Sequence, residues 1–164
     1  MKNNKCRQII YESVLKCLNE SFGNESEIVY NEYKHEDENT ISICKNNEEM
    51  GYIILLHHHK MSSLYSEISD TDSYEMAEEV VGKLDVNKPI VEIADVDVNK
   101  KYRNIGISKK LIEYVLNKYQ NYQFYLRVCP TDGVDEYTFV NVFKRYGFIE
   151  VDRNDENGTF MIKK

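Results

Sequence analysis

The sequence predicts an α/β (α+β) fold in which a mixed, mostly antiparallel sheet is flanked by helices. Three short segments of alternating apolar and polar residues follow one another in the first half of the chain, which is typical of an antiparallel meander. In the second half, strand and helix patterns alternate, which indicates helices on both faces of the sheet. The 164 residues contain no linker-like or low-complexity stretch, so we expect a single domain over residues 1–164.

The first half is predicted to form one helix and then three strands. Residues 5–22 place apolar side chains at helical spacing and are followed by Gly23, which favours a helix end. The strand segments are residues 27–33, 40–45 and 50–57. The stretch 60–73 is rich in Ser and Asp, and it predicts a loop.

Strand and helix patterns alternate after Ser73, whose hydroxyl is a typical cap for the helix predicted over residues 73–84. A strand over residues 89–98 precedes an amphipathic helix that begins near Ile107. The remaining elements, in chain order, are a strand over residues 123–129, a helix that stops at Gly147, and two strands around the turn from Asp152 to Gly158.

The composition argues against several classes of function. The formal net charge is −7, whereas a general nucleic-acid binder needs a basic face, so we expect no nucleic-acid partner. No apolar segment approaches membrane-spanning length and the first ten residues lack a signal-peptide pattern, which predicts a cytoplasmic protein without membrane contact. The four cysteines are too widely spaced to indicate zinc, and Cys17, Cys44 and Cys129 are expected to pack in the core. The four are Cys6, Cys17, Cys44 and Cys129.

The segment YRNIGIS, residues 102–108, lies between a strand pattern and a helix pattern. A strand that runs into a loop and then a helix exposes the first N–H groups of the helix and the positive end of its dipole, which together suit an anion. Residues 99–110 include five basic residues and no acidic one. The segment is therefore either a phosphate-binding loop or a simple turn with a basic rim. The usual dinucleotide and P-loop glycine patterns are absent.

The sequence VEIADVDVNKKYRNIGISKKLIEYVL resembles the acetyl-CoA-binding motif of the GCN5-related N-acetyltransferase (GNAT) superfamily, in which [QR]-x-x-G-x-[GA] joins a strand to a helix. Arg103 and Gly106 match the first two positions, and Ser108 replaces the small third residue. Downstream, VNVFKRYGFIEV resembles the second block of the family, in which a helix ends in Gly-Phe and a strand follows. The two blocks lie in the expected order within residues 89–151.

This resemblance implies a GNAT-like twisted sheet, acetyl-CoA as co-substrate and no metal. It implies that backbone N–H groups from Arg103 to Ser108 hold the coenzyme pyrophosphate and that the strand edge at residues 96–98 pairs with the pantetheine arm. The backbone N–H of Val96 would donate to the thioester oxygen, where acyl transfer builds negative charge. The residues expected to contact the coenzyme are Val96, Asp97, Val98, Arg103, Asn104, Ile105, Gly106, Ile107, Ser108 and Lys109.

Glu92 is the candidate catalytic base. By the resemblance, it precedes Arg103 by the spacing of the catalytic glutamate in the histone-acetylating branch of the family. A base is needed because an alkyl amine with a pKa of about 10.4 is protonated at neutral pH. Strand alternation places the rival carboxylates Asp95 and Asp97 on the opposite face from Glu92. The residues expected on its own face are Ala94, Val96 and Val98. Glu92 is otherwise an ordinary exposed strand residue.

The second block departs from the family pattern. Phe143 stands where many members carry a tyrosine that protonates the leaving thiolate. Tyr146 could substitute, but its place in the apolar stripe indicates a core residue. A thiol with a pKa of about 8.5 can also leave with help from solvent. Glu136 and Phe139 replace an asparagine and a small residue that commonly contact the coenzyme.

The chain also carries a stretch from His59 to Lys88 where the family commonly has a tight hairpin. This stretch is expected either to reshape the acceptor side or to contribute to a homodimer. Just before it, His57, His58 and His59 follow one another without an adjacent carboxylate. Consecutive strand residues alternate sides, so these histidines predict no metal site.

The resemblance predicts an N-acetyltransferase that moves an acetyl group from acetyl-CoA to a primary amine by direct attack. Acidic residues in the segment SEISDTDSYEMAEE and in the final turn favour a cationic small molecule or a basic peptide as the acceptor, unless both segments are solvated loops. The alternative is a non-catalytic acetyl-CoA-binding or protein-interaction module with the same fold. A binder of another phosphate compound is a third hypothesis.

Overall fold

A computed structural model describes residues 28–129, 136–154 and 158–164, so the helix predicted over residues 5–22 lies outside the described residues. Within those ranges, the strands form one mixed sheet in the order β1-β2-β3-β4-β5-β7-β6. They are β1 (Ile28–His35), β2 (Glu38–Lys45), β3 (Glu48–His58), β4 (Ile90–Val98), β5 (Gln123–Val128), β6 (Ile149–Asn154) and β7 (Gly158–Lys163). Only β4 and β5 pair in parallel among these strands, which confirms the predicted mixed, mostly antiparallel sheet.

Helices cover both faces of this sheet, as predicted. They are α1 (Met61–Thr71), α2 (Tyr74–Gly82), α3 (Ile107–Lys118) and α4 (Glu136–Arg145). α3 and α4 pack on a first core that includes Ile53 and Leu111, and α1 and α2 pack on a second core that includes Leu64 and Phe160. Among the described residues, no helix combines the length and the apolar character needed to span a membrane.

The predicted meander of β1, β2 and β3 depends on short polar turns. Asn46 and Asn47 join β2 to β3 and have φ angles of 52° and 61°. Two consecutive left-handed residues suit a two-residue hairpin, and asparagine tolerates this conformation well. The register that follows buries Ile41 and Ile43 of β2 completely in the first core.

α1 corrects the sequence prediction of a loop over residues 60–73. Ser and Asp are weak helix formers, and no side chain caps this helix at Lys60. Leu64 and Ile68 lie one turn apart and are buried in the second core, so tertiary packing stabilises a helix that local propensity does not favour. α2 follows the prediction, and the Oγ atom of its cap Ser73 accepts a hydrogen bond from the N–H of Met76 at 3.1 Å.

β4 contains a β-bulge that the sequence pattern did not reveal. Ile54 of β3 pairs with Asp95, and the next residue, Leu55, pairs with Ile93. Ala94 is therefore an extra residue without a partner on β3. An extra residue of this kind reverses the inward and outward alternation of the strand beyond it.

The bulge overturns the prediction that Glu92 shares a face with Val96 and Val98. Both valines pack against the first core. Asp95 and Asp97 instead lie on the same face as Glu92. These three residues pair with Ile54, Tyr52 and Leu56 of β3, and alternate residues of a strand share a face. In β4, the residues before Ala94 and the residues after it therefore follow opposite alternations: even-numbered residues before the bulge and odd-numbered residues after it face the same side of the sheet.

Candidate active site

β4 and β5 separate beyond the bulge and leave a cleft. Their pairing ends at Ile93 and Leu126, although β4 continues beside β3 as far as Val98. A cavity of about 700 Å³ opens between them, bounded by the start of α3 and by α4. Glu92 lines this cavity. The predicted coenzyme-contacting residues that also line it are Val96, Asp97, Val98, Arg103, Asn104, Gly106, Ile107 and Ser108.

The two remaining members of that predicted set lie outside the cavity wall. Ile105 is 61% exposed at the tip of the loop, and Lys109 lies on the solvent side of the first turn of α3, with its Nζ atom 3.8 Å from Glu113. The structure therefore brings together most of the predicted loop but separates these two side chains from the cleft.

The loop between β4 and α3 turns through left-handed backbone positions. Residues 100–102 form a short 3₁₀ turn, and the side-chain oxygen of Asn99 accepts a hydrogen bond from the N–H of Lys101 at 3.3 Å. Asn104 has a φ angle of 65° and Gly106, the N-cap of α3, has a φ angle of 85°. A Cβ atom at Gly106 would meet nothing within 4 Å, so the backbone conformation, and not crowding, favours glycine here.

Carboxylates partly neutralise the basic residues of this loop. The Nε atom of Arg103 donates to the carbonyl oxygen of Val98 at 2.9 Å, and its guanidinium lies 3.4 Å from Asp97. Lys101 is hydrogen-bonded to Glu48. Arg103 therefore ties the loop to β4. The first turn of α3 contains no acidic residue, and the N–H groups at a helix start have no acceptor within the helix, so this end suits an anion.

Three side chains from separate elements converge on the Glu92 face of the sheet. The Nε2 atom of His58, at the end of β3, lies 2.9 Å from Oε2 of Glu92 and 3.8 Å from Oε2 of Glu67 on α1. The ring nitrogen and the carboxylate oxygens all lie within 4.8 Å of one another. The exposed fraction of the side chain is 6% for His58, 12% for Glu92 and 42% for Glu67. The cluster thus has a buried end and an end that faces solvent.

The geometry of this cluster is that of a hydrogen-bonded network. Ligand atoms about 2.0–2.1 Å from a tetrahedral zinc ion lie about 3.3 Å apart, so the 2.9 Å contact between His58 and Glu92 is a direct hydrogen bond. On the other side of the ring, Ser63 Oγ lies 3.5 Å from Nδ1 of His58 and donates to the carbonyl oxygen of Lys60 at 2.7 Å. Burial and the neighbouring Glu92 carboxylate raise the pKa of Glu67.

The neighbours of His58 face elsewhere, as strand alternation predicted. The ring of His57 lies 5.3 Å from that of Tyr119, and Nε2 of His59 lies 3.0 Å from Asp37. The sequence analysis missed the carboxylate partners of His58 because none is adjacent in sequence. Glu92 lies 34 residues away, and Glu67 lies on the helix that was predicted to be a loop.

The residues that depart from the family pattern in the second block either pack in the core, line the cleft or make a hydrogen bond to β7. Phe143 is 7% exposed in the first core and lies 5.4 Å, ring to ring, from Phe148. Tyr146 packs against the same core, as predicted, and burial raises its pKa. Phe139 lines the cleft. Glu136 accepts a hydrogen bond from the hydroxyl of Thr159, which ties α4 to β7.

The expectation that the cysteines pack in the core was wrong for Cys129. β5 ends one residue earlier, and Cys129 is exposed and lines the cleft. Cys44 is half-buried on β2, and Cys6 and Cys17 lie outside the described residues. The final acidic turn is partly described, since Asp152 lies in β6 but residues 155–157 do not belong to the described ranges.

Comparison with known proteins identifies the family. Residues 12–162 match the family model described as an acetyltransferase (GNAT) domain, whereas a search of curated proteins finds no match. Naa50 from Arabidopsis thaliana, solved with the bisubstrate analogue CoA-Ac-MVNAL, superposes with a TM-score of 0.50 at 19% identity, covering 76% of this chain and 72% of that one. The N-acetyltransferase YlbP from Bacillus subtilis, solved with coenzyme A, has a TM-score of 0.50 at 13% identity, with coverages of 76% and 66%.

An acetyltransferase from Thermus thermophilus also gives a TM-score of 0.50, at 11% identity, and covers 78% of this chain. The present chain spans 64% of that protein, less than two thirds of its length. At these identities the superpositions show a shared fold, and the family model supplies the family. The chain belongs to the acetyltransferase (GNAT) domain family and is an acyltransferase.

Proposed function

We propose that this protein transfers an acetyl group from acetyl-CoA to the primary amine of a cationic small molecule or a basic peptide, with Glu92 as the base. The observation that carries the proposal is the cleft itself. Glu92, the edge of β4 that β5 leaves unpaired and the start of α3 all line one cavity of about 700 Å³. A thioester and an amine held in this cavity lie beside both a carboxylate and a row of backbone N–H groups.

The coenzyme fits the part of the cleft that β4 and α3 form. The pyrophosphate sits at the start of α3, where free N–H groups and the helix dipole favour negative charge. The pantetheine arm runs along the edge of β4 from Val96 to Val98, which β5 leaves unpaired. The solved relative from Bacillus subtilis contains coenzyme A, which supports this ligand for the shared fold.

The reaction proceeds by direct attack. Glu92 removes a proton from the ammonium form of the acceptor, and the amine nitrogen then bonds to the thioester carbon. The carbonyl oxygen becomes negatively charged and accepts a hydrogen bond from the N–H of Val96. The C–S bond breaks as the carbonyl reforms, and the nitrogen loses its second proton to solvent. The thiolate takes a proton from solvent, because the buried Phe143 cannot donate one. The products are an acetamide and free coenzyme A.

The charge around Glu92 favours a cationic acceptor. Glu67 and Asp95 lie on the same face of the sheet, and the hydroxyl of Tyr52 donates to Asp95 at 3.1 Å. Part of the acidic segment that was noted in the sequence supplies Glu67. Several carboxylates on one side of a cleft attract an ammonium group and disfavour an anionic substrate.

A thiol-release assay with acetyl-CoA and a panel of polyamines, aminoglycosides, amino acids and basic peptides tests this proposal. Glu92→Gln should keep coenzyme binding, measured by calorimetry, and should lower kcat about 10²–10⁴-fold, the usual contribution of a general base. Glu78→Gln, on the exposed face of α2, is the matched control and should behave as the wild type. Full activity of Glu92→Gln over a wide pH range would rule out Glu92 as the base. Tight coenzyme binding without turnover of any amine would favour the non-catalytic module.

A further inference from the structure

The cluster of His58, Glu67 and Glu92 contains two groups to which the proposed reaction gives no role. The Glu92 side chain is only 12% exposed, and the coenzyme and acceptor would fill the cleft that this residue lines. A base in that position must pass its proton on before the next turnover. While the coenzyme and acceptor occupy the cleft, a proton acceptor on another side of Glu92 would let this proton leave.

Glu67 lies in the cluster with Glu92 and is more exposed to solvent. We propose that Glu67 is the proton exit of the acceptor site: it takes from Glu92 the proton that Glu92 removes from the amine, and His58 positions both carboxylates. This inference rests on the proposed function, and it adds a residue of α1 to the catalytic machinery. The proton moves from the amine nitrogen to Glu92, from Glu92 to the Glu67 carboxylate, and from Glu67 to water, so the His58 ring is unchanged at the end.

The distances and exposures support each step. One nitrogen, Nε2 of His58, lies 2.9 Å from Glu92 and 3.8 Å from Glu67, and both carboxylates lie within 4.8 Å of each other. Side-chain exposure rises from 12% at Glu92 to 42% at Glu67. The chain of acceptors therefore runs from the cleft towards solvent. The raised pKa of Glu67 helps it to accept a proton from a neighbouring carboxyl group.

The other charged or titratable groups around the cluster are committed elsewhere. Burial raises the pKa of Tyr125 on β5 far above its usual range, so its hydroxyl stays protonated. Arg127 of β5 binds Asp72 at 3.0 Å, and the Asp72 side chain is only 2% exposed. Among the described residues that face the cluster from β3, α1, β4 and β5, Glu67 is the carboxyl group that combines contact with Glu92 and access to solvent.

His58 acts through the carboxylates and is a positioning residue. It lies between them with 6% of its side chain exposed, and Ser63 Oγ stands 3.5 Å from the far nitrogen of the ring. Replacement by Ala removes the hydrogen bond to Glu92. Replacement by Gln keeps an N–H donor of similar reach. We therefore expect His58→Ala to lower kcat and His58→Gln to retain most of it, with an unchanged KM for acetyl-CoA in both variants.

Buffer-dependent kinetics test the exit directly. Glu67→Gln should lower kcat about tenfold in dilute buffer, because Glu92 then returns its proton slowly, and imidazole at increasing concentration should restore kcat. Wild type should show no such dependence, and Glu92→Gln should stay inactive at every imidazole concentration. A purely structural loss in Glu67→Gln would not respond to imidazole. That variant should also show a larger solvent isotope effect on kcat than wild type.

Wild-type kcat in Glu67→Gln, or a loss that imidazole does not restore, would overturn the proton exit while leaving Glu92 as the base. Activity of Glu92→Gln would instead overturn the proposed function. Glu67→Asp keeps the charge and retracts the carboxyl by one methylene, so it provides the same imidazole series if Glu67→Gln does not fold. Turnover of the wild type that a chelator abolishes would assign the cluster to a bound cation and would also refute the exit.

Discussion

Replacing Gly51 with alanine adds one methyl group beside the part of β4 that is proposed to bind the coenzyme, and so tests how closely β3, β4 and α3 pack there. Gly51 lies on β3 opposite Val98, where β4 carries the proposed coenzyme edge. A Cβ atom at Gly51 would lie 2.6 Å from the carbonyl oxygen of Asp97, 3.2 Å from the Cα atom of Val98 and 3.3 Å from the side chain of Ile107. Two of these contacts are backbone, so Gly51→Ala has to displace β4 or the start of α3.

The closeness of these contacts sets the expected loss in the free energy of unfolding. Overpacking a well-packed site destabilises a protein by about 1–3 kcal/mol. For a chain of this size about 1 kcal/mol shifts Tm by roughly 2–4 °C, so Gly51→Ala should lower Tm by about 2–12 °C. Displacement of the β4 edge should also raise the KM for acetyl-CoA more than the KM for the amine.

Gly82→Ala is the matched control, since it adds the same methyl group at the last residue of α2. A Cβ atom there meets nothing within 4 Å. Alanine at a compatible helical position stabilises by about 0.4–1 kcal/mol, so this variant should be slightly more stable than wild type. Thermal and urea denaturation followed by circular dichroism, with initial rates against acetyl-CoA, measure both effects. A Tm of Gly51→Ala equal to or above that of wild type would refute the proposed crowding, as would equal losses in the two variants.

Two further predictions concern the elements on the opposite face. Ser73→Ala removes the cap of α2 and should lower the free energy of unfolding, measured by urea denaturation, by about 1 kcal/mol. The control Ser66→Ala, on the exposed side of α1, should stay within about 0.5 kcal/mol of wild type. Equal losses in the two variants would contradict the capping role. Because the folded state raises the pKa of Glu67 above 4.5, the stabilisation from its protonated form is present at low pH and is lost as the pH rises through the raised value. The stability of Glu67→Gln relative to wild type should therefore increase between pH 4 and pH 7, and a constant or decreasing difference in the free energy of unfolding would show that Glu67 is not perturbed in this way.

Local patterns predicted the parts of this protein that depend on near neighbours. The apolar stripe of α3 and the Ser73 cap of α2 each depend on contacts within one helical turn. The Asn46–Asn47 hairpin depends on the conformational tolerance of two adjacent residues. Such features are encoded over a few positions, so a single sequence suffices to predict them. The family motifs around Arg103 and Gly106 belong to the same class, because one loop carries them.

Only the tertiary structure decided the features that depend on distant partners. α1 exists because Leu64 and Ile68 meet the second core, which α2, β5 and β7 complete. The bulge at Ala94 appears only in the register of β4 against β3, and it moves Val96 to the face opposite Glu92. His58, Glu67 and Glu92 meet because a strand end, a helix and a second strand pack together. Sequence periodicity describes a residue relative to its own element, and these contacts are made between elements, so the sequence alone left the acceptor side of the site undetermined.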